Sequence, residues 1–224
     1  MSQNEPLHIP YHIDSKSQAD SVKASTEFYE LMDKRRSVRF FSDKAVPEEV
    51  IKNIIRTANT APSGAHKQPW TFCVISNKAL KHELREKAET EERINYTSRM
   101  SETWKDDLSH LGTNSVKEFI DIAPWIVIIM RKPYDIDENG TKKNNYYVNE
   151  SVGIASGILI AAIHNAGLVT LTHTPSPMGF ISKVLGRPEN EKPYLLLPVG
   201  YPSKECSVPN LKRKKLNEIA FFYR

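Results

Sequence analysis

The chain has 224 residues, 39% apolar and 26% charged, and its formal charge of +4 comes from 31 basic and 27 acidic side chains spread along its length. That length can bury a sizeable single core, and the composition excludes a fibrous or wholly disordered chain. The small positive excess tolerates an anionic ligand without demanding nucleic acid, while Cys73 and Cys206, without C-x-x-C or Cys/His spacing, exclude a disulfide framework and supply no metal motif.

Residues 1–24 lack periodicity and carry no basic segment followed by an apolar one, so an arm is expected there, with neither signal peptide nor anchor. Residues 152–163, the longest apolar stretch, are too few to span a bilayer, and the expected location is cytoplasmic. Ser25-Thr26 offers an N-cap for a helix with Phe28, Leu31 and Met32 on one face. That helix runs into Lys34-Arg35-Arg36-Ser37-Val38-Arg39. Such a run commonly compensates a helix dipole, yet in an extended segment Arg35, Ser37 and Arg39 share a face and can meet an anion together. Pro47 opens a second helix, striped with Val50, Ile51, Ile54, Ile55 and Ala58.

Residues 60–71, T-A-P-S-G-A-H-K-Q-P-W-T, then form a kinked polar loop around which the chain is organised. Pro62, Gly64 and Pro69 forbid a regular element there. Ser63 offers a hydroxyl, and Gly64 and Ala65 leave backbone N–H groups within reach of a flat ligand. An ordinary helix-to-strand connection is the competing reading. A buried strand over 71–75 follows, then a charged helical segment over 78–100 whose Leu80, Leu84 and Ala88 make only a thin apolar stripe. Continued weakly to Leu111, it is poorly anchored and suited to be a lid.

The run P-W-I-V-I-I-M at 124–130 predicts a central strand covered on both faces, followed by a polar turn over 134–145 around Asn139-Gly140. Residues 149–166 form a helix apolar nearly all round, with Gly153 and Gly157 on one side. A subunit interface or burial within the domain would each account for it. A short strand over 168–171 leads to the turn Thr172-His173-Thr174-Pro175, where His173 reads as a hydrogen-bonded neighbour rather than a base. A helix over 180–185 and a strand over 194–199 complete the domain. Residues 203–224 are expected to extend across a partner subunit, and Lys212-Arg213-Lys214-Lys215 to be a solvated face or a phosphate contact.

Taken in order, Arg35-Arg36-Ser37-Val38-Arg39, A-P-S-G-A-H with P-W-T-F, Glu92-x-x-x-Tyr96, Lys117, Thr174-Pro175 and L-P-V-G-Y-P-S-K-E resemble the nitroreductase superfamily of flavin mononucleotide enzymes and, within it, the iodotyrosine deiodinases. The resemblance covers roughly residues 27–220. It implies an α+β, nitroreductase-like fold: a mixed central sheet flanked by helices, in an intertwined homodimer with FMN at the interface. The domain would span 25–202, after the arm, with a lid over 90–117.

By the same resemblance Arg35, Arg36, Ser37, Val38 and Arg39 would hold the flavin phosphate and pyrimidine edge, with Arg213 as a second phosphate contact. Pro62, Ser63 and Gly64 would line the ring, and the turn of Thr172, His173 and Thr174 would present the Thr174 hydroxyl to flavin N5. Guanidinium forks suit a dianionic phosphate, and a neutral donor suits a redox-active nitrogen. Glu92 and Tyr96, four apart, and Lys117 read by themselves as a solvated face. The resemblance makes them the site of an amino-acid zwitterion, the carboxylate for its ammonium and the cation for its carboxylate, with the Ala65 N–H on the substrate phenolate. It implies reductive dehalogenation of halotyrosines, with an unidentified reductase as electron donor. The sequence lacks the membrane anchor of the mammalian enzymes, which favours a soluble microbial one, and its loop after Thr174 is one residue shorter. A nitro- or quinone reductase using NAD(P)H and a flavin or halotyrosine binding protein without turnover remain open at this point.

Overall fold

The computed structural model describes residues 8–224, in two compact units that divide after Arg35. In the first, helix α1 (Gln18–Asp33) starts at Ser17, whose hydroxyl accepts the Asp20 N–H at 3.1 Å. The helix thus begins upstream of the expected Ser25-Thr26 cap. Ser25 lies inside it and donates its hydroxyl back to the Val22 carbonyl at 2.9 Å, because the helix is already capped at Ser17. Helix therefore replaces part of the expected arm, while residues 1–7 of that arm lie outside the described residues.

The second unit opens with α2 (Glu48–Ala58), preceded by Pro47 and started with Glu48 and Glu49 in its first turn. Its predicted stripe buries Ile51, Ile54 and Ala58. Strand β1 (Trp70–Ile75) follows, then α3 (Lys78–Ile94), a π-helical turn over Asn95–Arg99, α4 (Glu102–Ser109) and α5 (Phe119–Ile122). Strand β2 (Trp125–Arg131) leads into β3 (Tyr134–Ile136) and β4 (Lys142–Asn144), so the expected polar turn is a small hairpin with Gly140 at its tip. The chain finishes with α6 (Val148–Asn165), β5 (Val169–Thr170), α7 (Gly179–Val184), β6 (Lys192–Gly200) and α8 (Leu216–Ile219).

The main sheet runs β1-β2-β6-β5 with every pairing antiparallel. Its parallel element is the isolated bridge of Ser37 to Thr170, closed by the Val38 N–H on the Thr170 carbonyl at 3.1 Å. Alternation along β2 and β6 sends Val127, Ile129, Leu197 and Val199 to one face, against Ile51, Ile54, Val152, Ala155 and Leu159 of α2 and α6. Ile126, Ile128, Met130 and Leu196 go to the other, against Leu84, Ala88, Phe119, Ile120 and Ile181 of α3, α5 and α7. Helices on both faces explain why β2 is a continuous apolar run although its sheet is antiparallel.

Helix α6 buries only one side. Val152, Ala155, Leu159 and Ile163 are buried, whereas Ile154 and Gly157 are exposed and nothing lies within 4 Å of a Cβ built on Gly157. Among the described residues, no helix is long and apolar enough to cross a membrane.

Where β6 ends, Gly200 passes so close to the residue preceding β2 that a Cβ would lie 2.6 Å from Pro124 Cδ. The proline ring cannot swing away as a flexible side chain would. Gly200→Ala should therefore cost about 1–3 kcal/mol of stability, measured as a lower urea midpoint.

Candidate functional site

Residues 63–68 adopt the least ordinary backbone among the described residues. Ala65, His66 and Gln68 all have positive φ, at 49°, 53° and 47°. For residues with a Cβ that conformation is strained and must be held by its surroundings. Ser63 Oγ accepts the Gln68 N–H at 2.9 Å, and the Gly64 N–H donates to Ser151 Oγ of α6 at 3.2 Å. A Cβ on Gly64 would meet the Tyr146 carbonyl oxygen at 2.8 Å and Tyr147 Cδ2 at 2.9 Å.

These contacts correct the expectation for Gly64. Its small size admits the chain of residues 146–147 rather than a ligand, and its N–H is already engaged. Ala65 differs from its neighbour. It is exposed, and its N–H meets no acceptor among the described residues. Pro62 is exposed and Ser63 half-buried beside it.

The basic run divides. Arg35 is the last residue of the first unit. Val38 turns inward: its side chain is buried and its N–H belongs to the bridge with Thr170. It separates Ser37, exposed, from Arg39, half-buried. Arg36 donates to the Pro209 carbonyl and so ties the chain beyond β6 to this segment. Arg213 sits on the exposed stretch before α8.

Glu92 and Lys117 are not a solvated face. Lys117 Nζ lies 3.4 Å from Glu92 Oε2, and the two side chains are only 5% and 10% exposed. Lys117 also donates to the Asn114 carbonyl. Burial pulls the ammonium below its usual pKa, while Glu92 opposes that fall. Tyr96, half-buried in the π-helical turn, acts electrostatically on Arg39, whose guanidinium burial pulls down. Such single π turns recur where a helix must present side chains to a site. The turn is fastened to the segment after Thr174, since Asn95 Nδ2 donates to the Ser176 carbonyl at 2.8 Å. A cavity of 390 Å³ opens beside Arg39, Asn114, Lys117 and Phe119, and none of the residues of the Ala65 loop line it.

In the turn after β5, Thr172 and Thr174 point outward and His173 inward. The Thr174 hydroxyl makes no hydrogen bond among the described residues, so it does not cap its own turn. His173, expected as a hydrogen-bonded neighbour rather than a base, is hydrogen-bonded through its backbone, N–H and carbonyl both pairing with Leu196. The ring lies edge-on to Phe119 with centroids 5.6 Å apart, and the buried Nε2 has no hydrogen-bond partner among the described residues. Burial first, then Lys117 and Arg39, lowers its pKa from 6.5 to about 3.

The donors gathered here fit FMN. Ser37 and Arg39 are suited to phosphate and carbonyl oxygens, as is Arg36, which already gives one donor to Pro209, and among the described residues the Ala65 N–H and Thr174 hydroxyl are neutral groups without internal partners. Two sets of residues escaped the sequence reading. Ser151, which holds Gly64, is 87 positions away and has no local signature. Arg85 and Glu89, which hold Lys117 in place, do have one, a helical spacing of four.

The chain belongs to the nitroreductase family, whose model matches residues 32–201. Among its relatives, an iodotyrosine deiodinase of Haliscomenobacter hydrossis is 52% identical over 219 residues, covering 98% of this chain and 99% of that protein. That of Hydra vulgaris is 55% identical, covering 94% and 78%, and human iodotyrosine deiodinase 1 is 52% identical, covering 97% and 76%. A crystal structure of oxidized iodotyrosine deiodinase bound to FMN and 3-iodo-L-tyrosine matches with a TM-score of 0.75 and 28% identity, over 88% of this chain and 98% of that one. Within the nitroreductases these relatives put the chain among the iodotyrosine deiodinases.

His173 makes stability depend on pH. Its folded pKa, about 3, lies below its usual 6.5, so between these values the unfolded chain binds more protons and stability falls as pH falls. The slope from this one group is at most about 1.4 kcal/mol per pH unit. In urea unfolding at a series of pH values, His173→Gln should lose stability less steeply than the wild type between pH 6.5 and 3.

Proposed function

We propose that this protein is an FMN-dependent enzyme that removes iodide from iodotyrosine, and halide from related halotyrosines. One observation carries the reading: the buried Glu92–Lys117 pair, with Tyr96 four residues beyond Glu92 in the π-helical turn, in a chain about half identical to iodotyrosine deiodinases. An amino-acid zwitterion is complementary to such a pair, because its ammonium offers a cation to Glu92 and its carboxylate an anion to Lys117. The substrate carboxylate also supplies a second counter-charge to an ammonium that burial disfavours.

Bound FMN supplies the two electrons of the reaction. The carbon–iodine bond breaks, iodide leaves with its electron pair, and two electrons and a proton replace it at the ring carbon. Arg36, Ser37, Arg39 and Arg213 would hold the cofactor, with Pro62 and Ser63 beside its ring and the Thr174 hydroxyl at its edge. The Ala65 N–H donates to the substrate phenolate and favours the ionised phenol. Tyr96 closes the site from the π-helical turn, and residues 90–117 act as a lid that orders around the substrate.

The assembly belongs to the proposal as well. The Ala65 loop sits beside α2 and α6, whereas Glu92 and Lys117 follow Ala88 and precede Phe119 in the opposite layer. A second copy docked on the exposed side of α6 would let one chain's loop complete the other's site, with residues 203–224 reaching across. The electron donor is a separate reductase, and the location cytoplasmic.

Iodide release from 3-iodotyrosine by the dithionite-reduced protein tests the activity, and its absence from FMN-loaded protein would refute it. Glu92→Gln and Lys117→Ala should each weaken 3-iodotyrosine binding by at least about 10-fold, the scale of a lost charge-assisted hydrogen bond, while changing 2-iodophenol binding little. Equal losses for both ligands would count against the zwitterion site. In sedimentation the flavin-loaded protein should run as a dimer, and a flavin-loaded monomer would contradict the shared site.

A further inference from the structure

One face of α3 carries a row of charged groups that grips the segment bearing Lys117. At its N-terminal end, Lys81 Nζ donates to the carbonyls of Asp121 and Ala123 at 2.8 and 2.6 Å. One turn on, Arg85 Nη1 meets Asp121 Oδ2 at 2.9 Å, and His82 Nδ1 meets the same oxygen at 3.1 Å. Arg85 Nε also reaches Glu89 Oε1 at 2.7 Å, and that oxygen accepts the Lys117 backbone N–H at 2.8 Å. Arg93 approaches the second Glu89 oxygen at 3.8 Å. Glu92 then faces Lys117 Nζ. Positions 81, 85, 89 and 92 recur at helical spacing, so α3 and the 117–123 segment are held in one register.

Packing alone does not require this row. Leu84 and Ala88 already bury against Phe119 and Ile120, and apolar contacts of that kind leave the 117–123 segment free to slide along the helix. A carboxylate accepting a particular backbone N–H does not. Glu89 is 14% and Arg85 22% exposed in their side chains, so water competes weakly for either. Burial alone would raise the Glu89 pKa, but the Lys117 N–H and Arg85 outweigh it and hold the carboxylate below its usual range.

We propose that Glu89, itself oriented by Arg85, is a positioning residue that sets where Lys117 stands relative to Glu92 and so determines preference for the amino-acid moiety of the substrate. This rests on the zwitterion reading of Glu92 and Lys117. Glu89 touches neither substrate nor cofactor in this account. Its action passes through the backbone N–H of the residue that does.

The test compares binding of 3-iodotyrosine with that of 2-iodophenol to the FMN-loaded protein, titrated through the flavin absorbance, with melting temperatures for each variant. Glu89→Ala should lower the ratio of the two affinities by about 10-fold, because the lost bond displaces Lys117 but not the phenol site. Glu89→Gln keeps a carbonyl oxygen for the Lys117 N–H and should restore most of the ratio. A purely structural clamp would instead weaken both ligands together, in step with the melting temperature, and that result would overturn the proposal. Lys117→Ala is the control. If it lowers the ratio while Glu89→Ala does not, the positioning role alone fails; if it leaves the ratio unchanged, the zwitterion reading fails first. Should Glu89→Ala not fold, Arg85→Met removes the anchor of Glu89 and leaves the acceptor in place. It should lower the same ratio by about threefold, and an unchanged ratio would again overturn the proposal.

Discussion

Glu92 and Lys117 are two charges taken out of water, and the architecture on their side of the sheet follows from keeping them together. Leaving either without its partner costs about 3–5 kcal/mol, so the helix that carries one and the segment that carries the other must hold a fixed register. Apolar contacts from Leu84 and Ala88 to Phe119 and Ile120 bring the two elements together. The charged row of Lys81, Arg85 and Glu89 fixes how far along each other they lie. Tyr96 inherits its place from the same helix, because the π-helical turn continues α3 directly.

A second constraint works on the other layer. The positive-φ run at Ala65, His66 and Gln68 is unfavourable in isolation and persists through Ser63, Ser151 and the close packing of Gly64 against residues 146–147. What the strain accomplishes is to leave one donor of this loop, the Ala65 N–H, without an acceptor among the described residues. On the sheet's opposite side the buried pair is internally satisfied but complementary to a zwitterion. The two halves have different physical origins, one strained backbone and one desolvated charge, and a site made of both requires the layers of more than one chain under the proposed dimer.

Much of this was legible from local pattern. The continuous apolar, β-branched run of residues 124–130 announced a strand covered on both faces, and the stripe of α2 announced the helix before the loop. The loop itself was marked by Pro62, Gly64 and Pro69, although Gly64 was assigned the wrong reason for being small. Its neighbours in space, Tyr146 and Ser151, come from a distant stretch that no local pattern links to it. The cap at Ser25-Thr26 failed for a different reason: Ser17 is an equally good cap eight residues earlier, and once a helix has nucleated there, later serines turn their hydroxyls back onto it.

By itself the sequence determined which residue types were available and which of them could share a face: Glu92 with Tyr96, Arg85 with Glu89, Thr172 with Thr174. Those relations follow from the periods of helix and strand, which depend only on neighbouring residues. The tertiary structure alone decided which faces meet. It paired Glu92 with a lysine 25 positions away, buried the ring of His173 against Phe119 without a hydrogen bond, and spent the Val38 and Gly64 N–H groups inside the fold while sparing that of Ala65. Burial and pairing are properties of what packs against a residue, and in this chain the groups that decide the chemistry are packed by segments far from them in sequence.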